Sequence, residues 1–306
     1  MPTETDADHG PRPYTFLLVS SALVALLNAY AGVRLLPALP LGPVVWPIAV
    51  VGLCLSVVLV PAGMLARYIQ RQRLARVLAW AGALTLGWMS SLLVLTLLRE
   101  VVLALSYLLP HMLRPQVRLW SAQAVLVLAA AATAVGLLGA RRRPRIRKVA
   151  IALPDLAPDL QGFVIAQISD LHVGSTIRRG YVDAVVDAVN ALHADLVAIT
   201  GDLVDGSVDQ LAAQVEPLRR LASRHGTYFV TGNHEYYSGA DAWVAQLRRM
   251  GMRVLLNEHV VIKHFDAALV LAGVTDTGAH QFDPARRSDP RAALSEHQGA
   301  PQWRRV

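Results

Sequence analysis

Four apolar runs dominate the first part of the chain: Tyr14–Leu36, Val44–Tyr68, Leu74–Leu98 and Leu119–Gly139. Crossing the hydrocarbon core of a bilayer takes ~20 helical residues, and each run is long enough. The third can extend to Leu109, because Val101–Leu109 is again apolar beyond Arg99 and Glu100. A cleavable signal peptide is a poor reading of the first run, since acidic residues (Glu4, Asp6, Asp8) precede it and further spans follow. The whole chain is 54% hydrophobic and 17% charged, a balance that fits a membrane protein better than a soluble globule. The expected architecture of this part is an all-α transmembrane bundle of about four helices.

The formal charge of +7 is unevenly placed. Residues 1–148 carry 15 Lys or Arg against 4 Asp or Glu, whereas residues 149–306 carry 14 against 18. The basic excess therefore belongs to the membrane half, where it sets orientation, and nucleic acid is not an expected partner. Arg71, Arg73 and Arg76 separate the second and third runs, and Arg141, Arg142, Arg143, Arg145, Arg147 and Lys148 follow the fourth. The opposite loops offer Arg34, Arg114 and Arg118. With four spans both rich clusters fall on one side, the cytoplasmic one by the positive-inside tendency. The expectation is a multi-pass protein of the bacterial inner membrane with its soluble domain in the cytoplasm. Apart from Arg99 and Glu100 the spans hold almost no ionisable groups, which disfavours a transporter. Cys54 is the single cysteine, so there is no disulfide framework.

Beyond the basic junction, short β-rich runs alternate with amphipathic stretches. Strands are expected at Lys148–Leu153, Phe163–Ser169, Leu196–Thr200, Thr227–Thr231, Val254–Leu256, Val260–His264 and Ala268–Ala272. Helices are expected near Tyr181–Leu192, Val208–Ser223 and Ala240–Met250. Such alternation implies a layered α/β domain, and the later strands a second, partly antiparallel sheet. The domains expected are a tail to residue 13, a membrane part over 14–140, a basic linker over 141–149, an α/β domain over 150–275 and an irregular tail over 276–306.

Three motifs close three of the expected strands: Ser169-Asp170-Leu171-His172, Thr200-Gly201-Asp202-Leu203-Val204-Asp205 and Thr231-Gly232-Asn233-His234-Glu235. In an open α/β sheet the carboxyl ends of the strands border the ligand crevice, so the three loops can converge. Their carboxylate, imidazole and amide donors suit hard or borderline divalent cations. Along an extended segment Asp170 and His172 would point the same way. Taken singly, Asp-x-His reads as a solvated loop and Gly-Asp as a turn. Together, in order and each ending a strand, they form a strong signal.

Over residues 147–275 the chain resembles the calcineurin-like metallophosphoesterase superfamily, with three of its five blocks: Asp-x-His, Gly-Asp-x-x-Asp and Gly-Asn-His-Glu. The membrane block ahead of them looks like the membrane-associated bacterial branch. The resemblance implies an α/β/β/α metallophosphoesterase sandwich holding two divalent metal ions (Mn, Fe or Zn). By position, Asp170 and His172 would bind the first ion, Asp202 would bridge both and Asn233 would bind the second. His234 would act on the leaving group, with Asp205 fixing its imidazole. Two ions would activate water and clamp the attacking and leaving oxygens of an in-line displacement on a phosphate ester or pyrophosphate. Membrane anchoring admits a lipid-linked phosphate as substrate.

Two further histidine blocks of the family have no counterpart. The histidines after Asp276 are His280 and His297, and neither stands in a Gly-His-x-His. The second metal site is then incomplete, and the expectation is a sandwich truncated at its C-terminus. The alternatives are a natural variant that uses one metal or a partner's ligands, and a catalytically impaired homologue acting as a membrane or partner-binding protein.

Overall fold

A computed structural model of the chain describes residues 13–69, 71–140, 142 and 145–295. The N-terminal tail to residue 12, Arg141, Arg143 and His297 lie outside the described residues. The chain separates into two compact units, Met1–Arg142 and Arg143–Val306.

The first unit consists of four long helices, α1 (Pro13–Leu35), α2 (Val45–Met64), α3 (Gln72–Leu105) and α4 (Arg114–Ala140). All four are long and apolar enough to cross a membrane, and their large side chains are mostly exposed, as at Leu18, Val58, Leu98 and Val127. That inversion suits a lipid solvent, in which apolar surface needs no burial. α2 and α3 cross where both lack side chains: a Cβ on Gly82 would lie 2.6 Å from the Gly63 Cα. α3 runs unbroken through Arg99, whose guanidinium is buried and donates to Ser121 Oγ (3.0 Å) and to the backbone oxygens of Arg34 and Arg118 (both 3.1 Å). Glu100 pairs with Arg34. Both charges are thus satisfied within the bundle, which is why they do not end the helix.

The second unit has a four-stranded parallel sheet in the order β1 (Ile165–Ile168), β2 (Leu196–Ile199), β3 (Thr227–Phe229) and β4 (Arg253–Val254). β2 is covered on both faces, as a central parallel strand must be. Val197 and Ile199 join one core with the helices, while Leu196 and Ala198 join another with an antiparallel hairpin. The helices are α5 (Arg179–Asn190), α6 (Val208–Val215) and α8 (Ala240–Arg249). α5 buries Val182, Val185, Val186 and Val189, and α8 buries Ala240, Trp243, Val244 and Leu247, both at helical spacing. The hairpin is β5 (Glu258–His264) with β6 (Ala267–Gly273). On its far side packs the short α9 (Pro290–Leu294), where His259 Nδ1 donates to the Ala293 carbonyl at 2.6 Å. Helices, parallel sheet, hairpin and helix form the expected α/β/β/α order of layers.

Three expectations need correcting. Residues 148–153 form no strand: no neighbour pairs with them, and Val149 and Ile151 are exposed. The helix from Val208 stops at Val215 and tightens into a 3-10 turn, Glu216–Arg220, because Pro217 lacks the amide an α-helix would use. The stretch from residue 276 to 295 is not featureless: it holds 3-10 turns and α9, and it buries Ala279 and Ala293.

Candidate metal centre

The three motifs meet at the carboxyl ends of β1, β2 and β3. The first two loops go on pairing after their strands end. His172 donates its amide to the Asp202 carbonyl (3.0 Å), Val173 to Leu203 (2.8 Å), and Asp205 returns one to Val173 (2.9 Å). Asp170, His172 and Asp202 all take left-handed backbone, with φ of 56°, 48° and 51°. Asp170–His172 is therefore a coiled turn and not the extended segment expected, yet it still leaves His172 Nε2 3.9 Å from Asp170 Oδ1. Non-glycine residues in this region each cost about 1–3 kcal/mol and persist where surrounding contacts over-determine them, typically at functional sites.

The third loop joins the second through two glycines. Gly201 has φ 84°, and a Cβ there would lie 2.7 Å from the Gly232 Cα; a Cβ on Gly232 would lie 2.7 Å from the Asp202 amide nitrogen. No side chain fits between these loops at either position. Just beyond, α7 (Asn233–Ser238) starts with Asn233, and His234 donates its amide to Asp202 Oδ1 at 3.0 Å.

The candidate donors form two overlapping groups, each with its ligand atoms within 4.8 Å of one another: Asp170, His172 and Asp202, and His172, Asp205 and His234. Asp205 Oδ1 lies 2.5 Å from His234 Nδ1 and 3.2 Å from His172 Nδ1. With both Nδ1 atoms directed at this carboxylate, each ring keeps its Nε2 for other chemistry. Carboxylate oxygens and imidazole nitrogens in one cluster, without thiolate, fit the divalent ions implied by the sequence. Asn233 stands beside the cluster by its place at the head of α7. His280 belongs to neither group: it is exposed and its Nδ1 meets the Thr277 carbonyl at 2.9 Å.

One residue of the third motif had no role from the sequence. Glu235 is wholly buried, and its carboxylate accepts from the amides of Gly232 (2.8 Å), Leu203 (2.8 Å) and Asp202 (3.0 Å). Burial raises its carboxyl above the usual range, against the pull of these three donors. The readable signal was an acid three residues after the N-cap Gly232, where its carboxylate can reach back to the N-cap amide. Beside the site, Tyr237 follows His234 at i+3 with ring centroids 5.6 Å apart, and Phe282 meets Tyr237 edge-on at 5.2 Å. Tyr237 and Phe282 are about half exposed, at 52% and 47%.

Residues 163–291 match the family model of the calcineurin-like phosphoesterases. A protein of Danio rerio named transmembrane protein with metallophosphoesterase domain is 34% identical over 175 residues, 56% of this chain and 40% of its own length. The Bos taurus protein of the same name is 40% identical over 153 residues, 48% of this chain and 34% of its own. An uncharacterized metallophosphoesterase of Helicobacter pylori is 38% identical over 134 residues, 44% of this chain and 34% of its own. The chain spans less than half the length of these curated relatives. No solved structure matches it. The loops after β1, β2 and β3 lie inside the matched residues, so what the second unit carries is a calcineurin-like phosphoesterase domain.

Proposed function

We propose that the chain is a membrane-bound, metal-dependent phosphoesterase that hydrolyses a phosphate ester or pyrophosphate. The observation that carries this reading is the gathering of Asp170, His172 and Asp202 within 4.8 Å, next to a histidine, His234, held by a carboxylate. Asp170, His172 and Asp202 would hold a first divalent ion (Mn, Fe or Zn), and Asp202 with Asn233 a second. Such ions, when bound, supply Lewis-acid charge that turns water into a nucleophile near neutral pH and neutralises the phosphoryl oxygens. His234, its Nδ1–H held by Asp205, would carry at Nε2 the proton that the departing oxygen takes.

The four apolar helices support a multi-pass place in the bacterial inner membrane. Arg71, Arg73 and Arg76 at the start of α3 and Arg142, Arg145, Arg147 and Lys148 after α4 support a cytoplasmic domain. The half-exposed Tyr237 beside His234, with Phe282 against Tyr237, on a chain with such helices, supports a lipid-linked phosphate as substrate. The test is hydrolysis of an aryl phosphodiester and of a lipid phosphate by the purified chain in detergent with added Mn²⁺. Turnover that His234→Ala and Asp202→Asn abolish supports the reading; turnover unaffected by both ends it.

A second reading, a catalytically impaired homologue acting as a membrane or partner-binding protein, is favoured by one observation. Of the residues the motifs assign to the second ion, Asp202 is the one charged ligand and Asn233 offers a neutral amide. Saturation at one Mn²⁺ per chain without turnover would select it.

A further inference from the structure

We propose that Glu235, although it lies in neither donor group, is the positioning residue that sets the divalent-metal affinity of this site. The inference rests on the metal-centre reading above. It starts from what holds Asp202 in place. Asp202 has φ 51°, follows Gly201 at φ 84°, and lies so close to Gly232 that a Cβ on Gly232 would meet the Asp202 amide nitrogen at 2.7 Å. Left-handed backbone is costly for a non-glycine residue, and contacts from the surrounding structure must offset that cost.

The structure shows one side chain that reaches both loops from within. Glu235 Oε2 accepts from the Asp202 and Gly232 amides, and Oε1 accepts from Leu203. The exchange is reciprocal, since the Asp202 carboxylate accepts from the His234 amide, one residue before Glu235. Side chain to backbone in one direction and backbone to side chain in the other, the loop after β2 and the head of α7 form a closed ring. The proposed bridging ligand Asp202 and the proposed second-ion ligand Asn233 then move as one body.

A carboxylate suits this position in a way its amide does not. It accepts at both oxygens and donates nothing, whereas glutamine would set an NH₂ against a backbone N–H. Leu203 and Glu235 are fully buried, so an amide orphaned there loses its acceptor without ready replacement by water. Residues behind a ligand set its orientation, and their loss typically weakens metal binding 10–100-fold.

The experiment is Mn²⁺ titration of the full chain in detergent, following free Mn²⁺ by electron paramagnetic resonance, with hydrogen exchange of the 201–204 segment in the metal-free protein. Glu235→Gln should weaken the tightest Mn²⁺ binding by about 10–100-fold and speed exchange at Asp202 and Leu203 before any metal is added. Glu235→Asp, which keeps the charge but is one methylene shorter, should recover part of both. If Glu235→Gln does not fold, Glu235→Asp carries the test alone, with lower affinity expected wherever protection is lost. Wild-type affinity in a folded variant whose 201–204 segment exchanges faster overturns the proposal, as does unchanged protection. A wild-type chain that binds no Mn²⁺ also overturns it. A chain whose Mn²⁺ affinity depends on Glu235 yet which hydrolyses no phosphate ester sinks the proposed function and leaves this inference standing.

Discussion

Asp205 faces His172 as well as His234: its Oδ1 lies 3.2 Å from His172 Nδ1, the imidazole expected to bind metal. The sequence pointed to a single partner for this carboxylate. One oxygen serving both rings means that replacing it disturbs a metal ligand and the proposed proton donor together. Asp205→Asn should therefore lower phosphodiester turnover by about 10²–10⁴-fold and also reduce bound Mn²⁺, though less than Asp202→Asn does. Elemental analysis of the two variants is the check, and full metal content in Asp205→Asn would limit Asp205 to His234.

The contact of Gly201 with Gly232 makes a second prediction. An alanine at Gly201 must adopt φ 84° and push its Cβ to 2.7 Å from the Gly232 Cα. Left-handed strain of about 1–3 kcal/mol and overpacking of about 1–3 kcal/mol act in the same direction. Gly201→Ala should lower the apparent Tm in detergent and weaken Mn²⁺ binding. Gly180→Ala, where a Cβ meets nothing within 4 Å, should lower neither.

Tyr237 and Phe282 test the substrate class. If their exposed rings receive the apolar part of the substrate, Tyr237→Ala and Phe282→Ala should raise KM for an aryl or lipid phosphate several-fold. KM for a small alkyl phosphodiester should hardly move. Equal effects on both substrates would remove the rings from recognition.

A histidine pair elsewhere in the unit gives a pH prediction. His225 Nε2 and His264 Nδ1 lie 2.8 Å apart, with Phe163 stacked on His225. Burial first, then the neighbouring His264, and to a smaller extent Arg224, hold His225 below its ordinary value of 6.5, while Asp195 pulls the other way. The folded state thus binds this proton less readily than the unfolded chain. Its contribution to stability is present above the unfolded pKa and is lost as pH falls through the folded one. Urea midpoints should drop on acidification below about pH 6.5, and His225→Gln should flatten that slope. An unchanged slope would assign the acid sensitivity to other groups.

Orientation is tested with a reporter fused after Val306. The Arg71–Arg76 and Arg142–Lys148 clusters call for a cytoplasmic terminus. A reporter active only outside the cytoplasm should stay silent there, and its activity would reverse the topology.

The residues themselves determined the division of the chain. Four apolar runs are visible because bilayer thickness sets one length for all, and three motifs at strand ends announce a metal site because parallel sheets gather those ends. The layered α/β alternation and a second, partly antiparallel sheet were legible, whereas Lys148–Leu153 misled, since β propensity without a neighbour makes no strand. What only the tertiary structure decided was which groups share an atom. That Asp205 serves two histidines, that Gly201 lies against Gly232 and that Glu235 binds both loops depend on residues about thirty positions apart meeting through β1, β2 and β3. Such pairings follow from strand register and backbone turns, which no local pattern of residues encodes. The left-handed turns at Asp170, His172 and Asp202 belong to the same class, for non-glycine residues hold them only because the assembled loops leave no other path.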